Sequence, residues 1–85
     1  MTTYIATIQV RPKAEIRDPQ GEAIAGALRS LGTDVADVRT GKDIVVRFAA
    51  SDDSAARAAA TGMGDRLLAN PVIEEFTVQV VQAAD

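Results

Sequence analysis

Hydrophobic and polar residues alternate over residues 3–11, in the segment TYIATIQVR. One face of this segment is apolar and carries Tyr4, Ala6, Ile8 and Val10. The other face is polar, with Ile5 as the exception. A period of two residues predicts a β-strand that is covered on one face, and Pro12 predicts its end.

A helical period follows over residues 19–31. The apolar positions are spaced i, i+3, i+4 and i+7, at Ile24, Ala27, Leu28 and Leu31. This spacing predicts a helix with one apolar stripe. Asp18 suits the N-cap, Pro19 suits the first turn, and Gly32 suits the C-terminal stop.

Gly21 does not fit this pattern, because a glycine in the first turn weakens a helix. A local role does not explain it. Close approach of another backbone, from a neighbouring strand or across a subunit boundary, would require the absent side chain.

The rest of the chain predicts two strands, a helix and a final strand. Residues 34–50 alternate on both sides of Gly41, which favours two strands joined at Gly41, either as a hairpin or as one long strand with a glycine bulge. Residues 51–53 predict the start of a second helix, which ends at Asn70 and Pro71. Residues 75–80 alternate again and predict the last strand.

The predicted order is therefore β-α-β-β-α-β, in one domain over residues 1–85. Each strand has one apolar face and each helix one apolar stripe. This predicts an α+β, two-layer sandwich, with an antiparallel four-stranded sheet and two helices on one face, related to the ferredoxin-like arrangement.

The composition indicates a thin core. Only 24 of the 85 residues are Val, Ile, Leu, Met, Phe or Tyr, and there is no Trp. The chain has no Cys for a disulfide and no His for a common metal site. A small domain of this kind gains buried surface by association, so we expect a homo-oligomer or a subunit of a complex.

The same composition predicts no catalytic, cofactor-binding or metal-binding residues in this chain. His and Cys supply the commonest bases and thiol nucleophiles, and both are absent. The glycine motifs around Gly41 and Gly62 lack the remaining residues of a nucleotide-binding loop. A net charge of −3 disfavours nucleic-acid binding, and the lack of a long apolar run disfavours a membrane span. We expect a cytoplasmic protein.

Three segments together resemble one family. They are DPQG at residues 18–21, DVRTGK at residues 37–42 and LLANPVIEEF at residues 67–76. Their order and spacing are similar to those of PurS, the small subunit of bacterial phosphoribosylformylglycinamidine (FGAM) synthase.

The resemblance implies a subunit of the enzyme that converts formylglycinamide ribonucleotide, ATP and glutamine into FGAM, ADP, phosphate and glutamate. It implies a homodimer or homotetramer that bridges a glutaminase, PurQ, and a large synthetase, PurL, and assists ammonia transfer. ATP and Mg²⁺ would be used by the synthetase, with no cofactor in this chain. The alternative from another class is a small-molecule-binding regulatory module.

The candidate contact residues follow from the motifs and are Gly21, Arg39, Gly41, Lys42 and Asn70. Arg39 and Lys42 are also consistent with a solvated turn, and Asn70 with a simple helix cap. We expect residues 39–42 to project into solvent and the charges of Arg39 and Lys42 to contribute little to folding.

Overall fold

The computed structural model describes residues 1–84, which form three strands and two α-helices. The elements are β1 (Thr2–Pro12), α1 (Pro19–Ser30), β2 (Lys42–Ala50), α2 (Asp53–Met63) and β3 (Glu74–Gln82). A one-turn π-helix, Gly64–Leu68, extends α2. The strands form one antiparallel sheet in the order β2-β1-β3.

The core lies between α2 and one face of the sheet, which we call the inner face. Its central strand contributes the buried side chains Tyr4, Ala6, Ile8 and Val10. From α2, Ala56 and Ala60 are fully buried against this face. Small alanine side chains let the helix approach the sheet closely, and the alternation over residues 3–11 predicted the inner face correctly.

The predicted four-stranded sheet is wrong, because no strand forms over residues 34–40 in the described chain. The carbonyl groups of this segment bond to a side chain instead of a neighbouring strand. The Arg29 guanidinium donates to the carbonyl oxygens of Val35, at 3.1 and 3.3 Å, and Ala36, at 3.1 Å. Gly41 therefore leads into β2 and does not join two strands.

The predicted packing of both helices on one face is also wrong. α2 packs on all three strands, whereas α1 lies away from the sheet. The apolar stripe of α1 remains open, with Leu31 82% and Ile24 38% exposed. Residues 13–41, which we call the arm, connect the end of β1 to the start of β2 at one end of the sheet. The molecule is consequently elongated, at 51 × 30 × 14 Å.

The predicted ends of α1 are confirmed. The Asp18 carboxylate accepts a hydrogen bond from the Gly21 N–H at 2.9 Å, as an N-cap does. At the other end Gly32 has a φ of 93°, and its N–H donates to the Arg29 carbonyl oxygen at 3.0 Å. The Thr33 N–H donates to the Leu28 carbonyl oxygen at 3.0 Å, which completes a Schellman motif.

Gly64 allows the end of the second helix to approach β3. A Cβ atom at this position would overlap the ring of Phe76. We therefore expect Gly64→Ala to lower the free energy of unfolding by about 1–3 kcal/mol, because the ring must move out of a packed core. Gly62→Ala is the control, since a Cβ there would meet only Arg66 Cζ at 3.9 Å. Chemical denaturation should show Gly62→Ala unchanged or stabilised, and equal stability of the two variants would contradict this packing.

Candidate interaction site

Asp18 organises the arm. It is buried, with 6% of its surface exposed. Besides capping α1, its carboxylate accepts hydrogen bonds from the Thr40 backbone N–H at 2.6 Å and the Thr40 hydroxyl at 3.0 and 3.1 Å. One side chain thereby joins the start of α1 to the segment that leads into β2.

These hydrogen bonds favour the ionised form of Asp18. Donation from the backbone N–H groups of Thr40 and Gly21 holds the pKa of this carboxyl below its ordinary value. The Thr40 hydroxyl and the nearby positive charge of Arg39 act in the same direction, while burial opposes them. The charge of Asp18 is therefore satisfied inside the arm.

Gly21 lies against the backbone of the segment before β2. A Cβ atom on Gly21 would overlap the carbonyl oxygen of Val38 and would lie 2.8 Å from Asp18 Oδ2. The glycine therefore permits a close backbone approach, and this approach occurs within the chain. No comparable crowding surrounds Gly26, where a Cβ would have nothing within 4 Å.

Arg39 is exposed, as expected, and it also bonds to the loop after β1. Its Nη2 donates to the carbonyl oxygens of Ile16 at 2.8 Å and Lys13 at 2.9 Å. Its guanidinium ties residues 13–16 to residue 39, so we expect Arg39 to contribute more to folding than a solvated charge would. Lys42 is exposed, as expected, and pairs with Val10 at the start of β2.

Gly41 and Asn70 lie at the same end of the sheet as the base of the arm. A Cβ on Gly41 would lie 2.5 Å from the Val10 carbonyl oxygen, so this glycine packs directly on β1. The Asn70 side chain accepts from the Val72 N–H at 3.0 Å and shapes the turn before β3. The same turn accepts the Lys13 N–H at its Ile73 carbonyl, at 2.9 Å. All five candidate residues thus lie in the arm or at its base.

A groove of about 570 Å³ runs between α1 and the two loops of the arm. Three guanidinium groups line it, and each is bonded within the chain. Arg17 pairs with Glu22 at 3.0 Å, while Arg29 and Arg39 donate to the carbonyl oxygens named above. The groove therefore does not present these three groups as free charges to a small anion, and it lends no support to the regulatory-module alternative.

Two further classes of site can be checked over residues 1–84. Within that range no three His, Cys, Asp or Glu side chains cluster as metal ligands would. None of the helices in the same range has the length and apolar character needed to cross a membrane.

Sequence reasoning missed the Asp18–Thr40 link and the hydrogen bonds of Arg29. Asp18 was recognised only as a helix cap, which explains one of its carboxylate contacts. The Thr40 contact joins residues 22 positions apart. The glycine at position 21 was the available signal, because it indicated that another backbone had to lie nearby.

Comparison with known proteins settles the family. Residues 5–82 match the PurS family model, described as phosphoribosylformylglycinamidine (FGAM) synthase. The chain belongs to the PurS family. It is 45% identical over 74 residues to the PurS subunit of FGAM synthase from Mycobacterium leprae, covering 86% of this chain and 90% of that one. The Bacillus subtilis PurS subunit is 36% identical over 78 residues, covering 91% and 92%.

Solved structures agree with this assignment. PurS from Thermus thermophilus has a TM-score of 0.90 and 38% identity, covering 96% of this chain and 99% of the other. A chain in the structure of PurLQS from Thermotoga maritima has a TM-score of 0.88 and 33% identity, covering 95% and 100%. The resemblance drawn from three short segments is confirmed, and the chain is a subunit of FGAM synthase, an enzyme of purine biosynthesis.

Removing the charge of Asp18 should loosen the arm. We expect Asp18→Asn to lower the melting temperature at pH 7 by about 5 °C, because an amide accepts the Thr40 and Gly21 hydrogen bonds less strongly. The exposed Asp37→Asn is the matched control.

The effect should depend on pH in one direction. The folded pKa of Asp18 is lowered, so its stabilisation is present above the unfolded value of about 4 and is lost as the pH falls through the folded value. The melting temperatures of the wild type and Asp18→Asn should therefore converge at the acid end of the pH range. A constant difference down to pH 2 would contradict the ionised cap.

Proposed function

We propose that this chain is the non-catalytic small subunit that bridges the glutaminase PurQ and the synthetase PurL. In this arrangement it assists the transfer of ammonia to formylglycinamide ribonucleotide. The observation that supports the proposal most is the likeness to a chain of the PurLQS assembly over 95% of this sequence. ATP and Mg²⁺ would act on the synthetase, and the complex would work in the cytoplasm.

The chemistry of the chain is consistent with a bridging role. It has no Cys to release ammonia from glutamine and no His to act as a base. Ammonia that escaped into water at neutral pH would be protonated and would lose the lone pair that attacks the substrate. A subunit that holds two active sites in a fixed relation protects the ammonia without contributing catalytic groups.

The arm and its base are the proposed contact surface for the partner subunits. Lys42 offers an exposed charge there, while Gly21, Arg39 and Gly41 fix the backbone around it. Asn70 shapes the adjoining turn. A surface fixed in this way loses little conformational entropy when it binds, which favours specific assembly.

Assembly with the partners can be measured directly. Purified chain, PurL and PurQ should elute together in gel filtration when glutamine and Mg-ADP are present. Omitting either ligand in turn tests whether it is needed for assembly. Separate elution of this chain under every condition would contradict the bridging role.

We also propose that the chain associates with itself as a homodimer or homotetramer. Large apolar side chains remain open on its surface, including Leu31 at 82%, Leu67 at 82% and Val72 at 76%. A thin core and such exposure together favour association. Analytical ultracentrifugation at micromolar concentration should therefore show no folded monomer as the main species, and a stable monomer would contradict this proposal.

A further inference from the structure

A small pocket at the base of the arm concentrates positive charge. It has a volume of about 210 Å³ and is lined by Gln9, Arg11, Arg39, Gly41, Lys42 and Asp43. Three of these residues are positive and one is negative, so the pocket has a net charge of +2, whereas the whole chain carries −3. The pocket is therefore a local exception to the acidic character of the molecule.

Gly41 packs against the aliphatic part of Arg11 and limits its freedom. A Cβ atom on Gly41 would lie 2.7 Å from Arg11 Cγ, so the glycine backbone touches the arginine stem directly. Arg11 is opposite Glu75 in the register of β1 and β3, but the one ion pair over residues 1–84 joins Arg17 to Glu22. The exposed Arg11 guanidinium is therefore not paired with a carboxylate of that range.

Arg39 contributes a guanidinium that is already fixed in position. Its Nη2 donates to the carbonyl oxygens of Lys13 and Ile16. A guanidinium has five N–H donors, and the Nε and Nη1 donors of Arg39 have no acceptor within residues 1–84. The same side chain can thus stabilise the arm and present its remaining edge to an acceptor outside the chain.

Resting on the proposed bridging role, we infer that this pocket accepts a carboxylate side chain of a partner subunit, PurL or PurQ. An Asp or Glu side chain that enters it accepts hydrogen bonds from the Arg11 guanidinium. Lys42 and the remaining edge of Arg39 add positive charge. A planar guanidinium and a planar carboxylate form two parallel hydrogen bonds, which makes the contact directional as well as attractive.

The exposure of the pocket favours a protein carboxylate over a small anion. Arg11, Arg39 and Lys42 are all exposed. An ion pair in full contact with water contributes little net free energy, so a free phosphate or carboxylate would bind weakly. A carboxylate carried by a partner arrives with surrounding surface that excludes water and strengthens the attraction. The pocket also shares Arg39, Gly41 and Lys42 with the contact surface proposed above.

Neutralising the pocket should weaken binding to a partner subunit. The test variant combines Arg11→Gln with Lys42→Gln and leaves Arg39 in place to hold the arm. Biolayer interferometry with glutamine and Mg-ADP present measures the dissociation constants for PurL and PurQ. We expect the variant to raise at least one of them about tenfold or more. Its melting temperature should stay within about 3 °C of the wild type, because both changes are at exposed positions.

The matched control combines Arg57→Gln with Arg66→Gln. Both residues are exposed, and they lie on α2 and its π-helical extension. The control removes the same charge from the chain but leaves the pocket intact. Its dissociation constants should change less than about twofold. Equal losses of affinity in the two double variants would reflect only the net charge of the chain and would overturn the inference.

Salt provides a second readout. Raising NaCl from about 0.1 to 1 M shortens the Debye length from about 10 to 3 Å and screens exposed charges. The affinity of the wild type should therefore fall more steeply with salt than that of the Arg11→Gln, Lys42→Gln variant. The same salt dependence in both proteins would overturn the inference.

Two other occupants are distinguished by the chain alone. Millimolar inorganic phosphate at constant ionic strength should leave its melting temperature unchanged. A rise that is lost in the Arg11→Gln, Lys42→Gln variant would assign the pocket to a small anion and overturn the inference. Sedimentation should show the same self-association for the variant and the wild type. Weaker self-association of the variant would place the carboxylate on a second copy, which would also overturn it.

The outcomes for binding separate this inference from the bridging role. If the wild type binds the partners and the variant binds them equally well, the pocket is not a carboxylate site and the bridging role stands. If the wild type binds neither PurL nor PurQ, both are overturned.

Discussion

Replacing Gly21 with alanine should lower the free energy of unfolding by about 2–3 kcal/mol. The added Cβ would overlap the Val38 carbonyl oxygen, which belongs to backbone that is held on both sides by hydrogen bonds to Arg29 and Asp18. Because backbone cannot move aside as a flexible side chain can, the arm must shift. Because the arm is displaced, the rate of glutamine-dependent amidation by the assembled enzyme should also fall.

Gly26→Ala is the matched control in the same helix. A Cβ at position 26 meets nothing within 4 Å, so alanine should stabilise the chain by up to about 1 kcal/mol through its better helix propensity. Urea denaturation of both variants measures the contrast. If Gly21→Ala were as stable as Gly26→Ala, the close approach of residues 21 and 38 would be contradicted.

Replacing Arg39 with alanine should both destabilise the arm and impair the complex. Loss of its hydrogen bonds to the Lys13 and Ile16 carbonyl oxygens should cost about 1–2 kcal/mol. In the reconstituted enzyme, the rate of amidation from glutamine should fall about tenfold or more. Weakening an interface by about 1.4 kcal/mol lowers its affinity tenfold. Amidation from added ammonia should change little, because free ammonia needs no bridge to the glutaminase.

Lys42→Ala separates assembly from folding. Lys42 is exposed, so its removal should change stability by less than about 0.5 kcal/mol. If its charge meets a partner, the ratio of glutamine-dependent to ammonia-dependent rates should still fall. Unchanged stability of Arg39→Ala would contradict the structural role of Arg39. An unchanged ratio of glutamine-dependent to ammonia-dependent rates in both variants would show that this surface does not contact the partner subunits.

Much of the fold followed from local pattern. The alternation at Tyr4, Ala6 and Ile8 predicted the inner face of β1, and Asp18 and Gly32 predicted both ends of α1. These features depend on residues near one another in sequence, where side-chain period and capping chemistry decide the outcome.

The errors concern contacts between distant residues. The alternation around Val38 is too short to distinguish a strand from an extended segment. The hydrogen bonds of Arg29 and Asp18 hold this segment outside the sheet. The apolar stripe of α1 was read correctly as a surface that needs cover. Periodicity alone does not say which element covers it, so the placement of α1 on its own sheet was wrong.

The candidate site was only partly readable for the same reason. Gly21 revealed a close backbone approach, but its partner, Val38, emerged only from the structure. Arg39 is exposed, as its charge suggested, but the hydrogen bonds of its guanidinium to carbonyl groups of residues 13–16 emerged only from the structure. A sequence shows that an arginine is charged and does not show which carbonyl groups surround it.

The most direct test of the account is the rate of FGAM formation by purified PurL and PurQ, measured with and without this chain. With glutamine as the nitrogen source, we predict that adding the chain raises the rate of FGAM formation at least tenfold. We also predict that PurQ then no longer releases more glutamate than the amount of FGAM formed. With ammonia as the source, the rate should be nearly the same in both mixtures. Equal glutamine-dependent rates with and without the chain would contradict the account.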